Sequence, residues 1–182
     1  GGAIDPTALA QCFAATLPAN AIVCDESNTA GLFCYDVAAA CPPHDWLTLT
    51  GGSIGQGLPL ATGAAIACPE RRVVALEADG SALYTIQALW TQAREGLSVT
   101  NVILNNGAYA ILRLEMIRAG VNQLSEAANA LFDLKRPAID FCSIARGFGV
   151  PAERVETPAA LTAALTRSYA SPGPALIEVM IR

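Results

Sequence analysis

One histidine, His44, stands in the 182 residues, and no pair of cysteines is spaced Cys-x-x-Cys. A zinc site is therefore not expected. The six cysteines, at 12, 24, 34, 41, 68 and 142, fall mostly in apolar stretches. There a thiol behaves as a small hydrophobe, and a reducing cytoplasm is the expected compartment. Charge is also scarce, at 15% against roughly 25% for an average soluble domain. The 11 basic and 16 acidic residues leave a net charge of −5, with no basic run. That excludes a nucleic-acid-binding surface. No stretch approaches the roughly 18 uninterrupted apolar residues that would read as a membrane span. No basic segment followed by an apolar run opens the chain, so no signal peptide is expected. Gly1-Gly2 without an initiator Met points to a processed chain or a fragment.

What is abundant is apolar: 53% of the residues. Residues 1–182 read as one domain with a substantial core. The apolar excess has two readings. It is surface meant for partner domains or subunits, or it is an Ala-rich parallel sheet buried on both faces.

The order of elements favours a sheet. Strand-like runs occur at 21–24, 46–50, 71–78, 100–105, 153–155 and 175–181, with helical stretches between them. Asp5 and Pro6 start the first helix, to about Leu17. A second is expected to end near Ala39, a third near Cys68, and a fourth to run from about Thr85 to Glu95 before Gly96. Helices also start near Ile111, Asp140 and Pro158, and the weak pattern up to Pro137 reads as a mobile loop with helical pieces. Six strands alternating with helices predict a doubly wound, mostly parallel α/β sheet covered on both faces.

Two polar clusters punctuate that pattern. Glu77-Ala78-Asp79-Gly80-Ser81 follows the third strand, and Asn105-Asn106 ends the fourth. A right-handed crossover lets the two strands lie side by side. A carboxylate and an amide oxygen would then converge at the carboxyl edge of the sheet, where such sheets bind ligands. Hard oxygen donors of that kind suit Mg²⁺, which keeps positions for water and phosphate oxygens.

This Asp-Gly-Ser … Asn-Asn pattern resembles the metal–diphosphate motif of thiamine diphosphate enzymes, closest to benzoylformate decarboxylase and acetolactate-synthase-like proteins. The resemblance covers nearly the whole chain but only the C-terminal, diphosphate-binding domain of those enzymes. Their usual Gly-Asp-Gly reads Ala78-Asp79-Gly80 here. The resemblance implies thiamine diphosphate and Mg²⁺ as cofactors, with Asp79, Asn106 and the Ala108 carbonyl as metal ligands. Gly80, Ser81, Tyr109 and Ala110 would approach the diphosphate, the last two through backbone N–H groups at a helix start. Asn28 and Thr29 match positions near the diphosphate and substrate, or simply cap the next helix. Gly52, Ser53 and Ile54 match the segment that meets the rings, the Gly52 carbonyl accepting from the aminopyrimidine and Ile54 wedging the thiazolium. Ile111 and Glu115 match positions that face the substrate.

Three other readings compete with this one. Gly52, Gly55 and Gly57 followed by acids about 20 residues on suggest a dinucleotide fingerprint, yet Gly-x-x-Gly-x-Gly is not its spacing. A regulatory or scaffold domain that merely keeps the fold would have no need of Asp79 and Asn106. A stand-alone subunit of a two-chain 2-oxo acid decarboxylase remains open beside a fragment of a longer enzyme. The resemblance implies decarboxylation of a small 2-oxo acid, or its carboligation to an acetolactate-type product. Acetohydroxyacid synthases usually carry Gln-Trp after the Asn-Asn stretch and Met at the place of Ile54; both are missing. The catalytic Glu of the family lies in a pyrimidine-binding domain, of the same or a neighbouring chain, and none of the acids here is assigned that role. Dimers or tetramers are implied.

Overall fold

A computed structural model describes residues 2–121 and 123–182. Its centre is a six-stranded parallel sheet in the order β2-β1-β3-β4-β6-β5. The strands are β1 (Ile22–Glu26), β2 (Asp45–Thr48), β3 (Val73–Ala78), β4 (Val99–Asn105), β5 (Ala152–Val155) and β6 (Ala175–Met180). The helices are α1 (Pro6–Thr16), α2 (Cys34–Ala38), α3 (Gly57–Ala67), α4 (Asp79–Ala82), α5 (Ala88–Arg94), α6 (Ala110–Arg118), α7 (Glu126–Ala130), α8 (Phe141–Gly147) and α9 (Pro158–Ala170).

The central strands are apolar runs because both their faces are covered. Val23, Val74, Leu76, Val102, Leu104, Ile177 and Val179 pack on the side of α1, α2 and α9. Their alternates Ile22, Cys24, Val73, Ala75, Val99, Ile103 and Leu176 pack on the side of α3, α5 and α8. This period of two divides each strand between two cores. Most of the apolar excess read from the sequence goes into this double burial. Some is left outside: Leu112, Leu114 and Ile117 are exposed, and α6 buries no residue. Among the described residues no helix is long and apolar enough to cross a membrane.

Local signals explain most element starts. The Asp5 side chain accepts from Ala8 N at 2.8 Å, with Pro6 in the first turn of α1. Thr157 and Pro158 repeat that arrangement at α9. Three expectations shift. The second strand is Asp45–Thr48, and Thr50–Gly52 form a 3-10 turn instead of extending it. Residues 28–33 are turns, so α2 is only five residues long. The helix expected from Thr85 begins at Ala88. Before it, Tyr84, Thr85, Ala88 and Leu89 bond three residues back, and the Thr85 hydroxyl donates to the Gly55 carbonyl at 2.8 Å. That side-chain bond holds the chain in successive turns. The weak stretch before Pro137 contains α7, capped by Ser125; Asn122 lies outside the described residues.

Strand order reverses between β1 and β3: the chain goes from β1 out to β2, then returns to the other side of β1. Such a switch point leaves a crevice beyond the carboxyl ends of the strands.

All six thiols are free. Burial, with Glu77 nearby, pushes Cys24 up to about 12; burial and Asp25 do the same for Cys34. Alkylation at pH 8.5 is expected to label the partly exposed Cys41 and Cys68 first and to spare Cys24 and Cys34 until denaturant is added. Peptide mass mapping checks this; rapid native labelling of Cys24 would contradict the packing.

Candidate functional site

Asp79 follows β3 directly, and the pairing of Ala78 with Leu104 sets it abreast of Asn105. Ala78 has φ −73° and ψ 147°, ordinary extended backbone. Alanine in place of the family's first glycine therefore costs nothing in conformation. Gly80 is more constrained: a Cβ there would lie 2.5 Å from the Tyr109 ring. Asp79 is buried. Its Oδ1 accepts from Gly80 N at 2.9 Å and its Oδ2 from Gly107 N at 2.7 Å. Burial raises its pKa, while amides of Gly107, Gly80, Ala108 and Asn106 oppose the rise. A cation at this carboxylate would favour the ionised form.

The two asparagines have different tasks. Asn105 is buried, donates to Glu178 Oε1 at 2.7 Å, and accepts from Gly107 N at 3.0 Å. Asn106 is only half-buried, and its Oδ1 accepts from Ala108 N at 2.9 Å. Gly107 turns the chain with φ +69° beneath the Lys135 side chain, which a Cβ would meet at 2.5 Å. No other residue type fits that turn without displacing the lysine.

A small cavity, about 30 Å³, gathers Asn28 and Thr29 from the β1 tip, the turn Asp79-Gly80-Ser81, and Asn106 with residues 108–111. Asp79 and Asn106 thus line one cavity, with Ala108 beside them. This all-oxygen donor set fits a small hard cation. Asn28, at φ +50°, donates to Ser81 Oγ at 2.9 Å and ties the β1 tip to the Asp79 turn.

Other expected residues lie elsewhere. Gly52, Ser53 and Ile54 are exposed and do not line this cavity. The Gly52 carbonyl already accepts from Ile54 N at 2.9 Å. Ile54 leaves 38% of its surface open. Glu115 is exposed on α6 and paired with Arg118. The amides of Tyr109 and Ala110 are engaged by the carbonyls of Phe132 and Ala108, at 3.0 and 2.8 Å. In this conformation they are not offered to a ligand, because Ala108 bridges to Asp133 and pulls the segment onto its neighbour.

Sequence reasoning passed over three buried acids. Glu26 and Glu77 are register partners on β1 and β3. Glu26 accepts from the backbone N–H groups of Gly55 and Gly57, each at 2.5 Å. Glu77 Oε1 has no hydrogen-bond partner. Glu178, fully buried, holds Asn105 on one side and Arg154 Nε, at 3.0 Å, on the other. Charged residues inside apolar strands were the available signal. Glu178 also groups with Asp140 and Cys142 at metal-ligand spacing, but Arg154 pairs with both acids and already supplies a cation there. A roomier cleft of about 320 Å³ opens at the opposite edge of the sheet, beside Pro151 and Pro174. The charges lining it, Arg167 and Glu153, neutralise each other at 2.7 Å.

The family described as thiamine pyrophosphate enzyme, C-terminal TPP binding domain, matches residues 29–179. The chain belongs to this family. It is 52% identical over 181 residues to a putative acetolactate synthase large subunit, IlvX, of Mycobacterium tuberculosis, covering 99% of this chain and 35% of that protein. It is 36% identical to benzoylformate decarboxylase of Pseudomonas aeruginosa, over 98% of this chain and 33% of the relative. The solved thiamine diphosphate-dependent 4-hydroxybenzoylformate decarboxylase of Rhodococcus jostii superposes with a TM-score of 0.85 at 33% identity, covering 100% of this chain and 33% of that one. The chain therefore spans about a third of the length of these relatives.

Two substitutions probe the buried acids. Burial, then Glu26 and Asp25, raise the Glu77 pKa well above the carboxylate range. A folded-state pKa above the unfolded one gives stability that is full at acid pH and lost as pH rises toward the folded value. In the metal-free chain, Glu77→Gln should gain on the wild type between pH 5 and pH 8, read as a widening gap in urea midpoints. A constant gap would show that Glu77 titrates as an open carboxylate. At Gly57, a Cβ would overlap Glu77 Oε1 and sit 2.8 Å from Glu26 Oε2. Gly57→Ala should cost about 1–3 kcal/mol, the usual scale for overpacking, measured by the same unfolding curves.

Proposed function

We propose that this chain supplies the magnesium–diphosphate half of a thiamine diphosphate-dependent enzyme that cleaves or forms C–C bonds next to the carbonyl of 2-oxo acids. The observation that carries the reading is that Asp79 and Asn106, at the β3 and β4 tips, line one cavity. Asp79, the Asn106 side chain and the Ala108 carbonyl hold Mg²⁺. Asn28, Thr29, Gly80 and Ser81 surround the diphosphate, with Tyr109 and Ala110 closing the side toward α6. Gly52, Ser53 and Ile54 meet the rings, and Ile111 borders the reacting end. Bound thiamine diphosphate supplies the electron sink that the protein side chains lack.

The protein's own tasks are binding and placement. Asp79 stays ionised beside the cation and keeps its orientation through Gly80 and Gly107. The short link from Asn28 to Ser81 fixes the β1 tip against the diphosphate turn. The exposed side chain of Ile54 gives the rings an apolar support.

Room for only about one water-sized group in the cavity means that most of the cofactor rests against another surface. We assign that surface to a pyrimidine-binding domain, in the same polypeptide or in a neighbouring subunit of a homodimer or homotetramer. That domain contributes the carboxylate that this chain lacks. The exposed Leu112, Leu114 and Ile117 of α6 suit such a contact. The six free thiols support a cytoplasmic location. The relatives support either decarboxylation or acetolactate-type carboligation as the outcome.

Thermal unfolding of the full-length protein that carries this chain tests the reading. Mg²⁺ and thiamine diphosphate together should raise the melting temperature, while NAD should not. A ligand at a hundred times its Kd adds about 2.7 kcal/mol. Asp79→Ala should weaken binding at least tenfold. Stabilisation by NAD, or unchanged binding in Asp79→Ala, would overturn it. The 182-residue chain alone should show negligible turnover of any 2-oxo acid; measured decarboxylation would disprove the missing-base argument.

A further inference from the structure

The candidate residues fall into two groups: the ring-facing Gly52–Ile54 segment, and the metal–diphosphate cluster around Asp79 and Asn106, whose cavity that segment does not line. One residue touches both sides. Glu26, the last residue of β1, is 2% exposed. Its two carboxylate oxygens each accept one backbone N–H, from Gly55 and from Gly57. Two parallel hydrogen bonds to one carboxyl group fix direction as well as distance. Its backbone carbonyl accepts from Asn28 Nδ2 at 3.1 Å, and the same amide group donates to Ser81 Oγ.

This clamp explains the glycine spacing that fits no dinucleotide fingerprint. Gly55 has φ +98° and lies against Tyr84, where a Cβ would come within 2.7 Å of another Cβ. Gly57 has no room for a methyl beside the Glu26 and Glu77 carboxyl groups. Both glycines let the backbone come close enough to present adjacent amides to one buried acid. On its outer side the loop is held by the Thr85 hydroxyl on the Gly55 carbonyl.

Resting on the functional reading above, we infer that Glu26 is a positioning residue: its carboxylate fixes the loop Thr50–Gly57 so that Gly52 and Ile54 meet the ring end of the molecule whose diphosphate is held at Asp79. The β1 tip thereby sets the span between the two ends of one ligand. Glu26 itself touches neither end.

The test compares two ligands on the full-length protein: thiamine diphosphate and inorganic pyrophosphate, each with Mg²⁺. Glu26→Gln keeps the size but replaces one acceptor oxygen with an NH₂ that faces a backbone N–H. It should weaken thiamine diphosphate at least tenfold and change pyrophosphate less than twofold. Amide hydrogen exchange at Gly55 and Gly57 should quicken without ligand, with Gly80 and Ala108 unchanged. Asp79→Ala, in contrast, should weaken both ligands. Thr85→Val removes the other tether and should shift the same selectivity in the same direction, which keeps the test open if Glu26→Gln does not fold. Equal weakening of both ligands, or no change in either, would overturn the positioning role. A wild-type protein that binds neither ligand would instead overturn the functional reading, and this inference with it.

Discussion

The amide of Gly107 is the point on which the site depends. It donates to Asp79 Oδ2 and to Asn105 Oδ1, so one N–H joins the tips of β3 and β4. A single bond of this kind contributes little net stability. Its value is geometric. It forces the chain after β4 to turn at φ +69°, which swings Asn106 out of the sheet and toward the crevice while Asn105 stays inside. Parallel pairing of β3 and β4 is the precondition, since a one-residue slip would exchange the roles of the two asparagines.

Three buried glutamates surround this arrangement, and each is handled differently. Glu26 has each of its side-chain oxygens satisfied by a backbone amide. Glu178 is paired with Arg154 and the Asn105 amide. Glu77 retains an unpartnered oxygen, and burial drives it toward the neutral acid. Removing carboxylates from water is costly unless each finds donors. Glu26 and Glu77 lie on the two strands of the switch point, whereas Glu178 lies on β6, beyond β4. The two flanking cores remain apolar.

The alternation of strands and helices was legible because strands buried on both faces leave nearly continuous apolar runs. The Asp79 and Asn106 pair was legible because polar residues at two strand exits are improbable as core and have a defined ligand chemistry. Ala78 stands where the family usually has glycine, and its extended backbone accommodates the methyl. The stretch before α5 misled, since helical spacing from Thr85 says nothing about a hydroxyl that bonds to a loop 30 residues earlier in the chain. The expected donor role of Tyr109 and Ala110 met the same difficulty: Phe132, distant in sequence, takes the Tyr109 amide.

The sequence alone determined the parallel α/β class, the Asp79–Asn106 pair and the oxygen chemistry of its candidate ligand. These are properties of residue type and of spacing along one crossover, and local periodicity carries them. Tertiary structure decided what holds Asn105 inside, where Glu26 spends its two oxygens, and which amides stay free. Those outcomes depend on strand register and on contacts between residues 31 to 73 positions apart, and spacing within a single element does not encode them.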